Sequence, residues 1–256
     1  MTIIKANDIY GNYFIDLVKN RIYKTNQNCL ICFVGQTGSG KSYSSITLAL
    51  ELDKDFSIDK IYFEIDKFIQ DLSNNVFKKG DCIVIDDAGV SISNRDWQSV
   101  INRAIGIIVQ SFRFLNLVLI INVPKISFIE LQVRSLLHFY LIHDKGQGNF
   151  RIQVSKENMD ITDDTEIIAS SLELEDESIL SEIQFLMPYD TDLINEYEKR
   201  KSDFMNNVYK KLYQEIKTGK GNITVKCMYC KTENYVKSDA KAFKCHSCGF
   251  RNKISD

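Results

Sequence analysis

No apolar run in this 256-residue chain approaches the roughly 18 uncharged residues that a membrane-spanning helix needs, and residues 115–123 are far too short. Residues 1–14 (MTIIKANDIYGNYF) lack a basic segment followed by an apolar one, so no secretory leader is read there. Neither an internal repeat nor a low-complexity tract stands out. Seven cysteines are an odd number, which argues against a disulfide framework. Residues 157–198 contain no Lys or Arg at all, against 14 Asp/Glu. With 44% hydrophobic residues and a mean hydropathy of −0.18, the chain has enough apolar material for a proper core. These absences set the expectation of a cytoplasmic protein without a membrane partner.

What is present is concentrated in a few stretches. Residues 32–42 read CFVGQTGSGKS, an apolar strand running into a Gly-x4-Gly-Lys-Ser loop. A triphosphate is a dense cluster of anionic oxygens, and inward-pointing backbone N–H groups in a tight loop can hold it. Gly35, Gly38 and Gly40 let that backbone curl and approach, with Gln36, Thr37 and Ser39 completing the cradle. Lys41 is expected to reach the β- and γ-phosphates. The Ser42 hydroxyl is expected to ligate Mg2+, and Tyr43 to continue the helix whose N-terminus faces the anion. Both flanks agree, since residues 30–34 read as a buried strand and residues 43–52 as a helix. ATP with Mg2+ is the expected ligand.

Residues 81–87 (DCIVIDD) place four apolar residues before two carboxylates. A strand buried on both faces reads this way, and its C-terminal end is where open α/β sheets put their chemistry. Asp86 is expected to hold Mg2+ beside Ser42, and Asp87 to orient or deprotonate the attacking water. By itself the pattern equally describes a buried strand capped by two solvated acids. The preceding glycine loop favours the first reading.

Near the other end, Cys227-x2-Cys230 and Cys245-x2-Cys248 stand fourteen residues apart, a spacing that suits four thiolates around one Zn2+. Val225, Tyr235, Val236, Phe243 and Phe250 suit short strands packed around such a metal, a zinc ribbon, with His246 a bystander. Cys29 and Cys32 also match Cys-x2-Cys, but on a strand residues three apart face opposite sides. They and Cys82 are read as buried thiols.

The remaining pattern alternates strands and helices and predicts an α/β protein with a parallel sheet. An entry helix is expected over 13–23, a strand over 60–64 and a helix starting at 67. A helix is read within 93–115, a strand over 115–122, a helix over 127–136, a strand over 137–143 and an edge strand over 150–154. The domain expectation is a nucleotide-binding core over 1–155, an acidic linker with one short helix over 156–187, a long amphipathic helix within 188–219 and a zinc ribbon over 220–256. Residues 199–256 hold 14 Lys/Arg against 5 Asp/Glu. That basic tail invites either a nucleic-acid partner or simply a solvated face of opposite sign to the acidic tract.

With these motifs in place, residues 30–143 resemble the FtsK/HerA branch of P-loop ATPases, which includes DNA translocases and viral or plasmid DNA-packaging ATPases. The order GQTGSGKS, IVIDDAGV, QSFRFLN and LVLIINVPKISFIELQVRSLLHFYL is similar. The resemblance implies an ATP-hydrolysing motor acting on DNA as a homo-oligomeric ring, of six subunits in that branch. It also implies a γ-phosphate-sensing polar residue at Asn122, where the branch commonly has Gln. The transition-state cation is expected from a neighbouring subunit, with Arg113 and Arg134 preferred over Arg95 and Arg103, or else from the same chain. The alternative is a nucleotide-dependent switch that docks a protein partner through the ribbon. A nucleotide kinase is the weakest reading, because no Arg-rich lid is evident.

Overall fold

The structure, a computed structural model, describes residues 10–86, 115–129, 131–155, 169–170, 172–173, 179–180, 182–217, 222–237 and 240–253. It divides into two compact units, Met1–Glu198 and Lys199–Asp256.

The first unit is organised on the strand that leads into the glycine loop. β1 (Cys29–Val34) pairs in parallel with β4 (Val118–Val123) on one side and with β5 (Phe139–His143) on the other. Beyond β4 lie β3 (Cys82–Ile85) and β2 (Ile61–Tyr62), also parallel. Beyond β5 the direction reverses. β6 (Asn149–Ser155) is antiparallel to β5, and β7 (Ala169–Ser170) and β10 (Glu182–Gln184) are antiparallel to β6. The resulting eight-stranded sheet has the order β10-β6-β5-β1-β4-β3-β2, with β7 also on β6. The fold is mixed α/β with a mostly parallel sheet.

The continuous apolar runs of β1, β3 and β4 are explained by burial on both faces. On one face Ile31, Phe33, Val84 and Ile120 meet Phe14, Val18 and Ile22 of α1 (Tyr10–Tyr23) and Ile46 and Ala49 of α2 (Lys41–Leu52). On the other, Leu30, Ile83, Leu119 and Ile121 meet Phe68 of α3 (Ile65–Ser73) and Val133 of α4 (Leu131–Arg134). Cys29 belongs to the first face and Cys32 to the second, both fully buried, as strand alternation requires. Burial pushes the Cys29 thiol up to about 12, partly offset by Arg21, and raises Cys32 and Cys82 as well.

Three sequence expectations need correcting. Residues 127–136 form no continuous helix; a 3-10 turn (Ile126–Phe128) precedes the four-residue α4. β6 is not an edge, since β10 and β7 both pair with it. The acidic stretch read as a linker with one short helix carries strands where it is described: β7, β10 and the small pair β8 (Leu172–Glu173) with β9 (Ile179–Leu180). The reason lies in residues 182–185, Glu-Ile-Gln-Phe, a period-2 alternation that buries Ile183 and Phe185 against the first face of the core. The helix expected within 93–115 falls almost wholly outside the described residues.

His138, just before β5, ties α1 to the sheet. Its two ring nitrogens face the Leu30 N–H and the Arg21 guanidinium, a setting that rejects a doubly protonated ring. Burial, assisted by the Arg21 charge, lowers the His138 pKa from its ordinary 6.5 to about 3. Between those values the unfolded chain binds a proton that the folded chain does not. The contribution to stability is therefore complete above about pH 6.5 and is lost as pH falls, by up to about 1.4 kcal/mol per pH unit. Urea unfolding between pH 7 and pH 5 is expected to show a falling midpoint, with a flatter dependence in His138→Gln. Equal slopes in the two proteins would assign the acid sensitivity to other groups.

The second unit contains the rest of α5 (Thr191–Lys217) and two antiparallel pairs, β11 (Asn222–Lys226) with β12 (Glu233–Lys237) and β13 (Ala242–Lys244) with β14 (Arg251–Lys253). Cys227, Phe243 and Cys245 form its small core, with Val225, Cys230 and Val236 packed against them. Phe250 is not in that core. It is exposed and stacks on Tyr229, with ring centroids 5.7 Å apart and planes at 21°. Among the described residues no helix is long and apolar enough to cross a membrane.

Candidate nucleotide site and cysteine cluster

β1 delivers the chain into the loop at Gly35, and α2 begins at Lys41. The loop closes only because Gly38 and Gly40 adopt left-handed conformations, φ 84° and 90°. At Gly40 a side chain would also collide, since a Cβ would stand 2.9 Å from the Gly148 nitrogen. The β5–β6 turn lies this close because Gly148 N–H donates to Ser39 O (3.1 Å) and Gln147 Nε2 to Gly38 O (3.2 Å). Lys41 is buried, and its ammonium donates to Gln36 O at 2.9 Å and lies 3.5 Å from Ser39 Oγ. Its cationic head is thus held by loop oxygens, over the turn that Gln36, Thr37 and Ser39 form.

Sheet register assembles the polar centre. Ile85 stands opposite Ile121, so the next residues, Asp86 and Asn122, come level at the C-terminal ends of β3 and β4. Asp86 is 1% exposed, and its carboxylate takes donors from three of the described residues. Ser42 Oγ (2.9 Å) and Asn122 Nδ2 (2.8 Å) both donate to Oδ1, and Tyr197 OH donates to Oδ2 at 2.6 Å. Asn122 Nδ2 also reaches Ser45 Oγ at 2.9 Å, while its carbonyl oxygen Oδ1 is buried without a hydrogen-bond partner. A buried acceptor left unpaired is costly and marks a place where a donor from outside the chain, such as water, can be held. A hydroxyl, a carboxylate and this orphan oxygen are all hard oxygen donors of the kind Mg2+ prefers. The residues therefore fit Mg2+ with a bound triphosphate.

Of the residues proposed from sequence, the structure brings Lys41, Ser42, Asp86 and Asn122 together around the glycine loop. Tyr43 lies on α2, its ring 6.2 Å from that of Tyr197 and its hydroxyl 2.8 Å from Glu198 Oε1. Asp87 and Arg113, like Arg95 and Arg103, lie outside the described residues. Arg134 is engaged locally, its Nε donating to Ile129 O at 2.6 Å, and among the described residues it makes no bond to the loop. Tyr197, Gln147 and Ser45 are additions that sequence reading did not supply.

The four cysteines of the second unit also converge. Their sulfurs all lie within 4.8 Å of one another, a set able to hold a metal ion. The closest cross pairs are Cys227–Cys248 at 3.7 Å and Cys230–Cys245 at 3.5 Å. Each Cys-x2-Cys sits on the same turn: Lys231 N–H returns to Cys227 O and Gly249 N–H to Cys245 O, with Lys231 and Gly249 both left-handed. Four residues after each second cysteine comes a buried asparagine, and the two exchange bonds. Asn252 Nδ2 donates to Cys227 Sγ (3.4 Å) and Asn234 Nδ2 to Cys245 Sγ (3.6 Å). Their Oδ1 atoms accept from Met228 N–H and His246 N–H respectively. The unit is thus a repeated Cys-x2-Cys-x3-Asn, eighteen residues apart, although no internal repeat is evident on a first reading of the sequence. Desolvation raises the Cys227 thiol, but the Cys230 N–H, Asn252 and the Tyr229 N–H outweigh it and bring the pKa down to about 6. His246 Nδ1 is engaged by Asn234 Oδ1 at 2.9 Å.

No protein-family model matches this chain, and no curated protein matches it significantly. Among solved structures, EssC (ATPases 2 and 3) from Geobacillus thermodenitrificans is similar over 73% of this chain and 45% of its own, at 14% identity and a TM-score of 0.39. The cytoplasmic domain of EssC is similar over 73% and 46%, at 16% identity and a TM-score of 0.35. This chain spans less than half the length of either.

Proposed function

We propose that the protein binds and hydrolyses ATP, and that it is a motor-type ATPase acting on DNA as a homo-oligomer. The observation that carries the ATPase reading is the bonding of the loop serine, Ser42, to the buried Asp86 beside Asn122. Residues 35–43 would hold the triphosphate, with Ser42 and Asp86 holding Mg2+. When bound, that ion neutralises charge on the β- and γ-phosphoryl oxygens. Lys41 would exchange its loop oxygens for phosphate oxygens. Asn122 Oδ1 and Asp87 would orient the attacking water, Asp87 also accepting its proton. Arg113 or Arg134 of a neighbouring subunit would supply the missing cation, in a ring of six if the assembly follows the branch it resembles.

Cys227, Cys230, Cys245 and Cys248 would hold Zn2+ as a structural site. The DNA part of the reading is supported by the surface of this unit. Exposed Tyr229 and Phe250 stack on each other, and exposed Arg251, next to Phe250 in the chain, pairs across β13 and β14 with exposed Lys244. Aromatic faces next to cations suit bases and phosphates. Exposed Met228 and Tyr229 also favour the second reading, a nucleotide switch docking a protein partner. ATP turnover measured alone and with single- or double-stranded DNA separates the two. The motor requires DNA-stimulated turnover, whereas slow, DNA-indifferent turnover supports the switch, and no turnover at all removes the enzyme.

A further inference from the structure

Helix α5 starts at Thr191, more than a hundred residues beyond Asp86, yet its second turn completes the carboxylate's surroundings. Tyr197 is 1% exposed, and its hydroxyl is the donor to Asp86 Oδ2. The division of labour on this carboxylate is informative. Oδ1 takes Ser42 and Asn122 and so is the oxygen on the side of the glycine loop. Oδ2 is the other oxygen, and Tyr197 donates to it. The ring is clamped in turn, with Phe63 at 5.8 Å and Tyr43 at 6.2 Å between centroids, and the adjacent Glu198 accepts from Tyr43 OH. A phenylalanine would fill the same space, so packing alone does not call for the hydroxyl.

We propose that Tyr197 is a positioning residue for the metal-holding carboxylate. By fixing Oδ2 it presents Oδ1 to the nucleotide-bound Mg2+, and this one hydroxyl of α5 is part of the nucleotide site. A carboxylate anchored at both oxygens loses little freedom when it engages a cation, whereas one anchored at a single oxygen must be ordered at that moment. The inference rests on the reading that Ser42 and Asp86 hold the Mg2+ of a bound nucleotide.

The test compares ATP dissociation constants in excess EDTA and in Mg2+ for the full chain, Tyr197→Phe and Glu198→Ala. Wild type should show clear Mg2+-dependent tightening. Tyr197→Phe should reduce that tightening about tenfold, the effect of one hydrogen bond to a charged group, while its EDTA constant stays put. Glu198→Ala, which loosens the same helix through Tyr43 without touching Asp86, should keep the full tightening. The proposal is overturned if Tyr197→Phe retains or exceeds the wild-type tightening, or weakens both constants equally as a packing defect would. Absence of ATP binding by wild type overturns the nucleotide reading itself, and this inference with it.

Discussion

Lys41→Ala is expected to abolish ATP hydrolysis, by on the order of 10²–10³-fold or more, and to weaken ATP binding while the fold survives. The ammonium bonds to Gln36 O and approaches Ser39 Oγ, both atoms of the loop itself, and it lies in neither hydrophobic cluster of the sheet. Its removal therefore deletes a charge meant for phosphate and leaves the packing of α2 on β1 in place. Circular dichroism and the melting temperature should stay near wild type, and unchanged turnover would eliminate the ATPase reading. The same variant tests the assembly. Mixed with Arg134→Ala or Arg113→Ala, it should regain part of the activity if the cation is supplied in trans, because some mixed interfaces pair an intact loop with an intact arginine. A monomer with no such rescue would place the cation in the same chain.

The second large effect is expected at the cysteine cluster. Wild type should contain one zinc per chain, and Cys227→Ser should lose it and unfold residues 222–253 while the Met1–Glu198 unit keeps its own melting transition. Among the described residues, Cys227 and Cys245 alone join Phe243 in the core there, with Val225, Cys230 and Val236 partly buried against them. So small a core cannot match the order of 10 kcal/mol that a structural zinc site contributes. Metal analysis together with amide exchange over these residues checks the point. Metal-free wild type with full protection there would remove zinc from the account.

How much of this was legible in the sequence follows the distance over which each interaction acts. The glycine loop and its flanking strand and helix are local, and the residues spell them out. Asp86 was legible because an apolar run ending in carboxylates has few other uses beside such a loop. Asn122 was placed by resemblance, and register then puts it level with Asp86. Tyr197 could not be read: on an amphipathic helix it is one more apolar-face residue, and its partner lies 111 positions away. β10 was readable in principle from Glu-Ile-Gln-Phe, but the surrounding acids obscured the alternation. The Cys-x2-Cys pairs announced themselves, whereas the asparagines that follow each did not, since an isolated asparagine reads as a turn residue. Asp87 and Arg113 fall outside the described residues and rest on sequence alone.

The exchange between Asn234 and Asn252 bears on how the cysteine unit comes together. Each hairpin lends its amide to a sulfur of the other, so neither hairpin alone supplies every donor to its own sulfurs. A nascent chain that has released only the first pair holds two sulfurs, one of them still missing its Asn252 donor. The unit is therefore expected to mature only after the second hairpin has emerged, and to lose both sulfur contacts together when either hairpin is lost.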